Sequence, residues 1–258
     1  MKRDLTRRDA VRRIALSAAT LVAGGCRQLS ASSTTARAAD GRISARPHPP
    51  TKTAPTGLTP MGLDSSRDAL LYVPKSYRPD VPAPLALLLH GAGQSADELI
   101  VPMQSLADET GMVLIAPNSR DASWDIRYGA FGPDVDFINK MLERVFDEIR
   151  VAAGRISVCG FSDGASYALS IGLINGDLFG HVLAMSPGFI VNPHPVGKPK
   201  IFVTHGTNDQ ILSIDQTSRI LVPQLKNAGY DVEYHEFEGR HQVSRALLRD
   251  AVTWMMKG

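Results

Sequence analysis

The sequence predicts one α/β domain, with a doubly wound, mostly parallel sheet and helices on both of its faces. Short apolar runs, typical of buried strands, alternate along the chain with segments of helical periodicity. Glycine-containing loops follow several of these runs, at the carboxyl edge of the predicted sheet, where such folds bind ligands. The 258 residues are 43% hydrophobic and 21% charged, which is enough apolar material for a core of this size.

The strands are predicted from apolar, often β-branched runs. Residues 69–74 form the first run, which Pro74 closes. Residues 84–89 are continuously apolar, as expected for a strand buried on both faces of a parallel sheet. Further strands of this kind are predicted at 112–117, 156–159, 182–185, 199–204 and 232–237.

The helices are predicted between these strands. Residues 134–151 are the clearest case, because their apolar side chains recur every three or four positions. The complete set of predicted helices is 96–110, 134–151, 165–173, 217–229 and 243–256. Together with the strands they assign residues 62–258 to a single domain.

Residues 1–38 are predicted to be an export signal of the twin-arginine type. Arg7 and Arg8 precede an apolar run over 14–25 that is too short to span a bilayer comfortably. The alternative is an amphipathic or disordered basic N-terminus. We expect an exported protein, either periplasmic, extracellular or anchored by lipid at the cell envelope.

The cleavage site within this leader stays open. Residues 23–26 form an imperfect lipobox, which would place a lipid on Cys26, whereas residues 36–38 (Ala-Arg-Ala) offer an ordinary cleavage site. Membrane contact is expected only through the leader or this lipid. Residues 39–61, rich in small residues and proline, are predicted to be a flexible linker.

The charge distribution excludes nucleic acid as an expected partner. The first forty residues carry eight Lys or Arg and three acids, whereas the remainder carries 20 basic and 23 acidic residues. The basic character therefore belongs to the leader. Two distant cysteines, Cys26 and Cys159, predict neither a disulfide nor a metal site, and we expect no cofactor.

The sequence Gly160-Phe161-Ser162-Asp163-Gly164 lies between a predicted strand and a predicted helix. In that position Gly-x-Ser-x-Gly is typical of a nucleophile elbow, whose glycines make room for a strained turn. The non-functional alternative is a surface turn that carries a serine by chance. The context favours Ser162 as a nucleophile.

A serine nucleophile needs a base and an acid that orients it, and on this kind of sheet both follow the serine in the chain. His241 lies in the loop after the last predicted strand, at the carboxyl edge. The other downstream histidines are less suitable by position: His181, His194, His205 and His235. Asp209 follows the strand at 199–204 and is predicted to orient His241, whereas Asp215 lies too close to the next helix.

The oxyanion hole is predicted from two backbone N–H groups, those of Ala92 and Asp163. Ala92 lies in the loop after the strand at 84–89, and Gln94 of that loop is expected to contact substrate. Trp124, in the loop after the strand at 112–117, is predicted to wall a small pocket beside Ser162. Its alternative place is the core.

These motifs resemble the α/β-hydrolase superfamily. The segments at 89–96, 160–164, 205–209 and 239–241 are similar to those of phospholipase/carboxylesterase and polyhydroxybutyrate-depolymerase-like serine esterases. The resemblance implies Ser162, Asp209 and His241 as the triad. Two features depart from the pattern. Asp163 stands where lipid-acting relatives often carry glutamine, and no long insertion is available for a lid.

The expected function is hydrolysis of carboxylic esters with short acyl chains through an acyl-serine intermediate. The substrate would be a small-molecule or polymer-borne ester. An acyltransferase with the same triad is the first alternative, because the sequence does not distinguish water from an alcohol as acceptor. A non-catalytic binding module on a hydrolase fold is the second.

Overall fold

A computed structural model describes residues 40–191 and 194–257. Their strands form one eight-stranded sheet in the order β1-β2-β4-β3-β5-β6-β7-β8. The strands are β1 Gly57–Pro60, β2 Ala69–Val73, β3 Ala83–Leu89, β4 Val113–Pro117, β5 Val151–Phe161, β6 His181–Met185, β7 Lys200–Gly206 and β8 Val232–Phe237. β3 to β8 run parallel, whereas β1 and β2 are antiparallel to their neighbours. The predicted mostly parallel sheet is confirmed.

Helices cover both faces of this sheet. They are α1 Asp97–Thr110, α2 Pro133–Glu148, α3 Asp163–Ile174, α4 Ser218–Asn227 and α5 Arg245–Met256. Leu85 and Leu87 of β3 pack in one core with α2, α3 and α4, whereas Leu88 packs in the second core with α1 and α5. A strand buried on both faces explains why β3 is continuously apolar.

The end of α2 differs from the prediction. The helix stops at Glu148 because Ile149 is extended (φ −123°, ψ 130°), and β5 begins at Val151. The expected helix over 134–151 therefore overruns, and the expected strand over 156–159 is the centre of a longer one. Ile149 is fully buried in its extended conformation, so apolar periodicity alone could not mark this boundary.

The structure contradicts the predicted flexible linker over 39–61. Residues 40–61, which we call the N-terminal arm, pack against the domain. Ile43 and Ala45 are buried in the first core, and the arm ends with β1 paired to β2. The side-chain amides of Asn139 and Asn175 bind the arm backbone at 2.8–2.9 Å. The folded domain therefore includes residue 40 instead of beginning at 62. Composition could not reveal this, because the partners of the arm lie about a hundred residues away.

The predicted export signal, including Cys26, lies outside the described residues. Within the part of the chain that the structure describes, no helix is long and apolar enough to cross a membrane.

Candidate active site

Ser162 occupies the sharp turn between β5 and α3. Its φ of 57° lies in the left-handed region, which costs a residue other than glycine roughly 1–3 kcal/mol. Gly160 and Gly164 make the turn possible. A Cβ on Gly160 would lie 2.0 Å from the carbonyl oxygen of Gly164, and one on Gly164 would lie 2.0 Å from that of Leu89. The motif is therefore required by backbone contacts at the elbow.

Ser162, His241 and Asp209 form a continuous hydrogen-bonded chain. Ser162 Oγ lies 2.8 Å from His241 Nε2, and His241 Nδ1 lies 2.6 Å from Asp209 Oδ2. Because a carboxylate only accepts hydrogen bonds, Nδ1 carries the ring proton. The Nε2 lone pair is then free to receive the serine proton. The structure thus brings together all three residues of the predicted triad.

Asp209 is held as a charged carboxylate. Its side chain is fully buried, which by itself would raise the pKa. Hydrogen bonds from the backbone N–H of Leu212, from His241 and from the backbone N–H of Ile211 outweigh burial and lower the pKa of Asp209 below its usual value. The carboxylate can therefore orient His241 and stabilise its protonated form.

His205 is a second partner of Asp209 that the sequence did not assign. Its Nε2 donates to the carbonyl oxygen of Leu212 at 2.8 Å and lies 3.2 Å from Asp209 Oδ2, while Nδ1 lies 2.7 Å from Ser218 Oγ. Burial lowers the pKa of His205, which keeps the ring neutral. His205 lies near the end of β7, four residues before Asp209, and this spacing is the signal that could have found the role. Asp215 pairs instead with Arg219, at 2.6 Å on the surface.

The loop after β3 contains a peptide N–H, that of Ala92, that lacks an acceptor among the described residues. Gly91 N–H donates to Gln94 Oε1 at 2.9 Å, and Gly93 N–H donates to the carbonyl oxygen of Ala122 at 2.7 Å. Among the described residues, neither Ala92 N–H nor Asp163 N–H has an acceptor. Free donors of this kind could bind a developing oxyanion. The oxyanion role of Ala92 and Asp163 stays a prediction.

A family match covers the segments that form this candidate site. The sequence profile of a family described as phospholipase/carboxylesterase matches residues 78–257. The chain belongs to the phospholipase/carboxylesterase family. The matched region contains the elbow, the loop after β3 and the loops that carry Asp209 and His241, so the resemblance inferred from the motifs is confirmed.

Individual relatives of this family member are distant. Feruloyl esterase C of Emericella nidulans is 27% identical over 159 residues, which cover 58% of each protein. A bifunctional acetylxylan esterase/xylanase of Neocallimastix patriciarum is 26% identical over 167 residues, 61% of this chain and 23% of that protein. The chain thus spans well under two thirds of the length of these relatives. The crystal structure of esterase PE8 shares the fold, with a TM-score of 0.62 at 20% identity, covering 75% of this chain and 99% of that one.

Trp124 lies in the core of this carboxylesterase-family domain, so the prediction that it walls the substrate pocket is wrong. Its side chain is 1% exposed, and its ring stacks on Tyr167 at a centroid distance of 5.0 Å. The indole N–H donates to the carbonyl oxygen of His90 at 2.8 Å. The loop after β4 folds inward beneath the loop after β3, where the indole finds both burial and an acceptor.

We call the contacts of Ser119, Ala122 and Trp124 with the loop after β3 the loop clamp. Its third hydrogen bond joins Ser119 N–H to His90 Nε2 at 3.0 Å. His90 Nδ1 then donates to the carbonyl oxygen of Gly91 at 2.7 Å, and burial lowers the pKa of this histidine, so the ring is neutral. Sequence reasoning missed the clamp, because its members are ordinary loop residues.

Gln94 has a structural contact that the sequence did not predict. Its Oε1 is occupied by Gly91 N–H, and this contact shapes the loop. Its predicted contact with substrate stays a prediction. Over residues 40–191 and 194–257, no group of three or more His, Cys, Asp or Glu side chains is placed to hold a metal ion. Cys159 is a free, buried thiol in β5, in line with its apolar strand position.

Proposed function

We propose that this chain is a serine esterase that hydrolyses carboxylic esters through an acyl-serine intermediate. The observation that carries the proposal is the hydrogen-bonded chain from Ser162 through His241 to Asp209, at 2.8 and 2.6 Å. A serine hydroxyl is a weak nucleophile unless a base within such reach removes its proton. Membership of the phospholipase/carboxylesterase family and relatives that are named esterases support the same reaction class.

In the proposed reaction, Ser162 Oγ attacks the ester carbonyl carbon while His241 Nε2 takes the hydroxyl proton. The N–H groups of Ala92 and Asp163 bind the resulting oxyanion, and Asp209 stabilises the imidazolium. Collapse of the tetrahedral intermediate expels the alcohol, which receives its proton from His241. Water then repeats the attack on the acyl-serine with His241 as base, and this second half releases the acid and restores Ser162.

We further propose that the acyl group is short. The core position of Trp124 removes pocket size as a reason. The support comes instead from the relative whose name specifies acetyl esters, the acetylxylan esterase/xylanase. Initial rates on p-nitrophenyl esters from acetate to dodecanoate test this part, because a pocket discriminates by about 1–3 kcal/mol per misfit methylene. A maximum at dodecanoate would contradict it.

The central test replaces the nucleophile. Ser162→Ala should abolish p-nitrophenyl acetate hydrolysis and fluorophosphonate labelling while leaving the melting temperature nearly unchanged. Ser105→Ala, on the exposed face of α1, is the matched control and should keep both. Activity retained in Ser162→Ala would remove the assignment. Wild type that resists labelling would favour a binding module, and new esters formed with added alcohols would favour acyl transfer.

Export is a separate proposal that rests on the sequence of residues 1–38. Replacing both Arg7 and Arg8 by lysine should retain the protein in the cytoplasm if the signal is of the twin-arginine type. Cell fractionation followed by immunodetection measures the outcome. An unchanged distribution between fractions would contradict the proposal.

A further inference from the structure

Asp163 combines two opposed features. Its backbone N–H, directly after Ser162, has no acceptor among the described residues, and its side chain is a carboxylate that is 15% exposed. Covalent geometry keeps that carboxylate within roughly 6 Å of any anion bound to the same residue's N–H. A negative charge so close opposes the oxyanion that the N–H would stabilise.

The loop after β4 supplies the compensating charge. An Arg127 guanidinium nitrogen lies 2.5 Å from Asp163 Oδ2, and the Ser123 hydroxyl donates to the same oxygen at 2.7 Å. Arg127 belongs to a short 3-10 turn, Asp125–Tyr128, that follows Trp124 directly. The turn therefore places a cation next to the residue that follows the nucleophile.

Arg127 itself is 54% exposed, so the pair lies at the border between the protein and solvent. A surface ion pair in this position contributes little to stability. Its influence on a charge that develops at Ser162 is much larger, because the carboxylate belongs to the same residue as the N–H that would bind the oxyanion. The contact thus serves the reaction more than the fold.

We propose that Arg127 is a positioning residue for ester hydrolysis: it neutralises the Asp163 carboxylate, so that Asp163 N–H can stabilise an oxyanion. This inference rests on the proposed function of the site. Without Arg127, Asp163 carries an uncompensated charge beside the reacting atoms. The affinity for a neutral ester is unaffected, because the ester acquires its negative charge only in the transition state.

The test is a double-mutant cycle on the full chain, with p-nitrophenyl acetate as the neutral substrate. Arg127→Gln should lower kcat on the order of tenfold to a hundredfold, with KM unchanged within about twofold. Arg127→Lys, which keeps the charge, should recover most of the loss. In an Asp163→Asn background, Arg127→Gln should change kcat by less than about threefold, because no carboxylate is left to neutralise.

Arg219→Gln is the matched control, since Arg219 of α4 forms surface ion pairs with Asp215 and Glu236 that are not part of the site. Melting temperatures of all variants report folding. An equal loss of kcat in both Asp163 backgrounds would overturn the inference, and so would an unchanged kcat in Arg127→Gln. A rise in KM confined to anionic esters would make Arg127 a substrate contact instead and would also overturn it. If Ser162→Ala is inactive while these results are negative, the proposed function stands and only this inference fails.

Discussion

Replacement of Trp124 by phenylalanine tests the loop clamp most directly. The change removes the donor to the His90 carbonyl oxygen, now 2.8 Å from the indole nitrogen, and leaves a small cavity in the core. A buried acceptor without a partner costs about 1–3 kcal/mol, and the cavity adds to it. The expected loss of about 2–4 kcal/mol lowers the melting temperature by roughly 5–15 °C for a domain of this size.

Urea unfolding and thermal melts measure this loss. Trp254→Phe is the control: Trp254 is only partly buried, and its ring lies 5.0 Å from that of His181, away from the clamp. The kcat values on acetate and butyrate esters distinguish a core position of Trp124 from a position in the wall of the substrate pocket. If the ring supports the loop that carries Ala92, then kcat should fall by the same factor for acetate and butyrate esters. Unchanged stability together with a shift towards longer acyl chains would refute the core position.

Three further predictions concern stability and reactivity. Ser186 is buried with φ 53°, and its Oγ has no hydrogen-bond partner within residues 40–191 and 194–257. Ser186→Gly should therefore raise the melting temperature by about 2–4 °C, and Ser186→Ala by less. Asp177→Asn should cost about 1 kcal/mol at pH 7 by urea unfolding. Burial opposes ionisation of Asp177, but hydrogen bonds from Arg42 and Arg46 of the arm lower its pKa. Its contribution is therefore present above pH ~4 and is lost as the pH falls through that pKa, and the urea midpoints of wild type and Asp177→Asn should converge below it. Burial raises the pKa of Cys159 to about 12, so in a Cys26→Ser variant a thiol reagent at pH 8 should react only after unfolding.

Much of the sheet could be predicted because its strands are buried on both faces. β3 and β4 are continuously apolar and buried, which is the pattern typical of central strands in a parallel sheet. The elbow could be predicted because the turn has no room for a Cβ at Gly160 or Gly164, so that the glycines mark it in the sequence. His241 and Asp209 followed from their places at strand ends, so chain order and topology were sufficient.

What could not be predicted depends on contacts between distant segments. The arm contributes few large apolar side chains, and its backbone is held by Asn139 and Asn175, which no local pattern connects with it. Trp124 could have pointed towards substrate or core, since a polar loop permits both. Asp163 was recognisable as a departure from the pattern, but Arg127, 36 positions earlier, became its partner only through folding.

The antiparallel strands β1 and β2 determine how far the protein can be truncated from its N-terminal side. The family match begins at residue 78, after both β1 and β2. A fragment that starts there leaves β4 as an edge, with its pairing groups unmatched along five buried, apolar residues. Such an edge recruits other chains and aggregates, whereas β1 is a short edge that ends in Pro60. If that fragment forms inclusion bodies, the cause would be the loss of β2 from the edge of β4. A fragment designed to stay in solution should begin no later than residue 40.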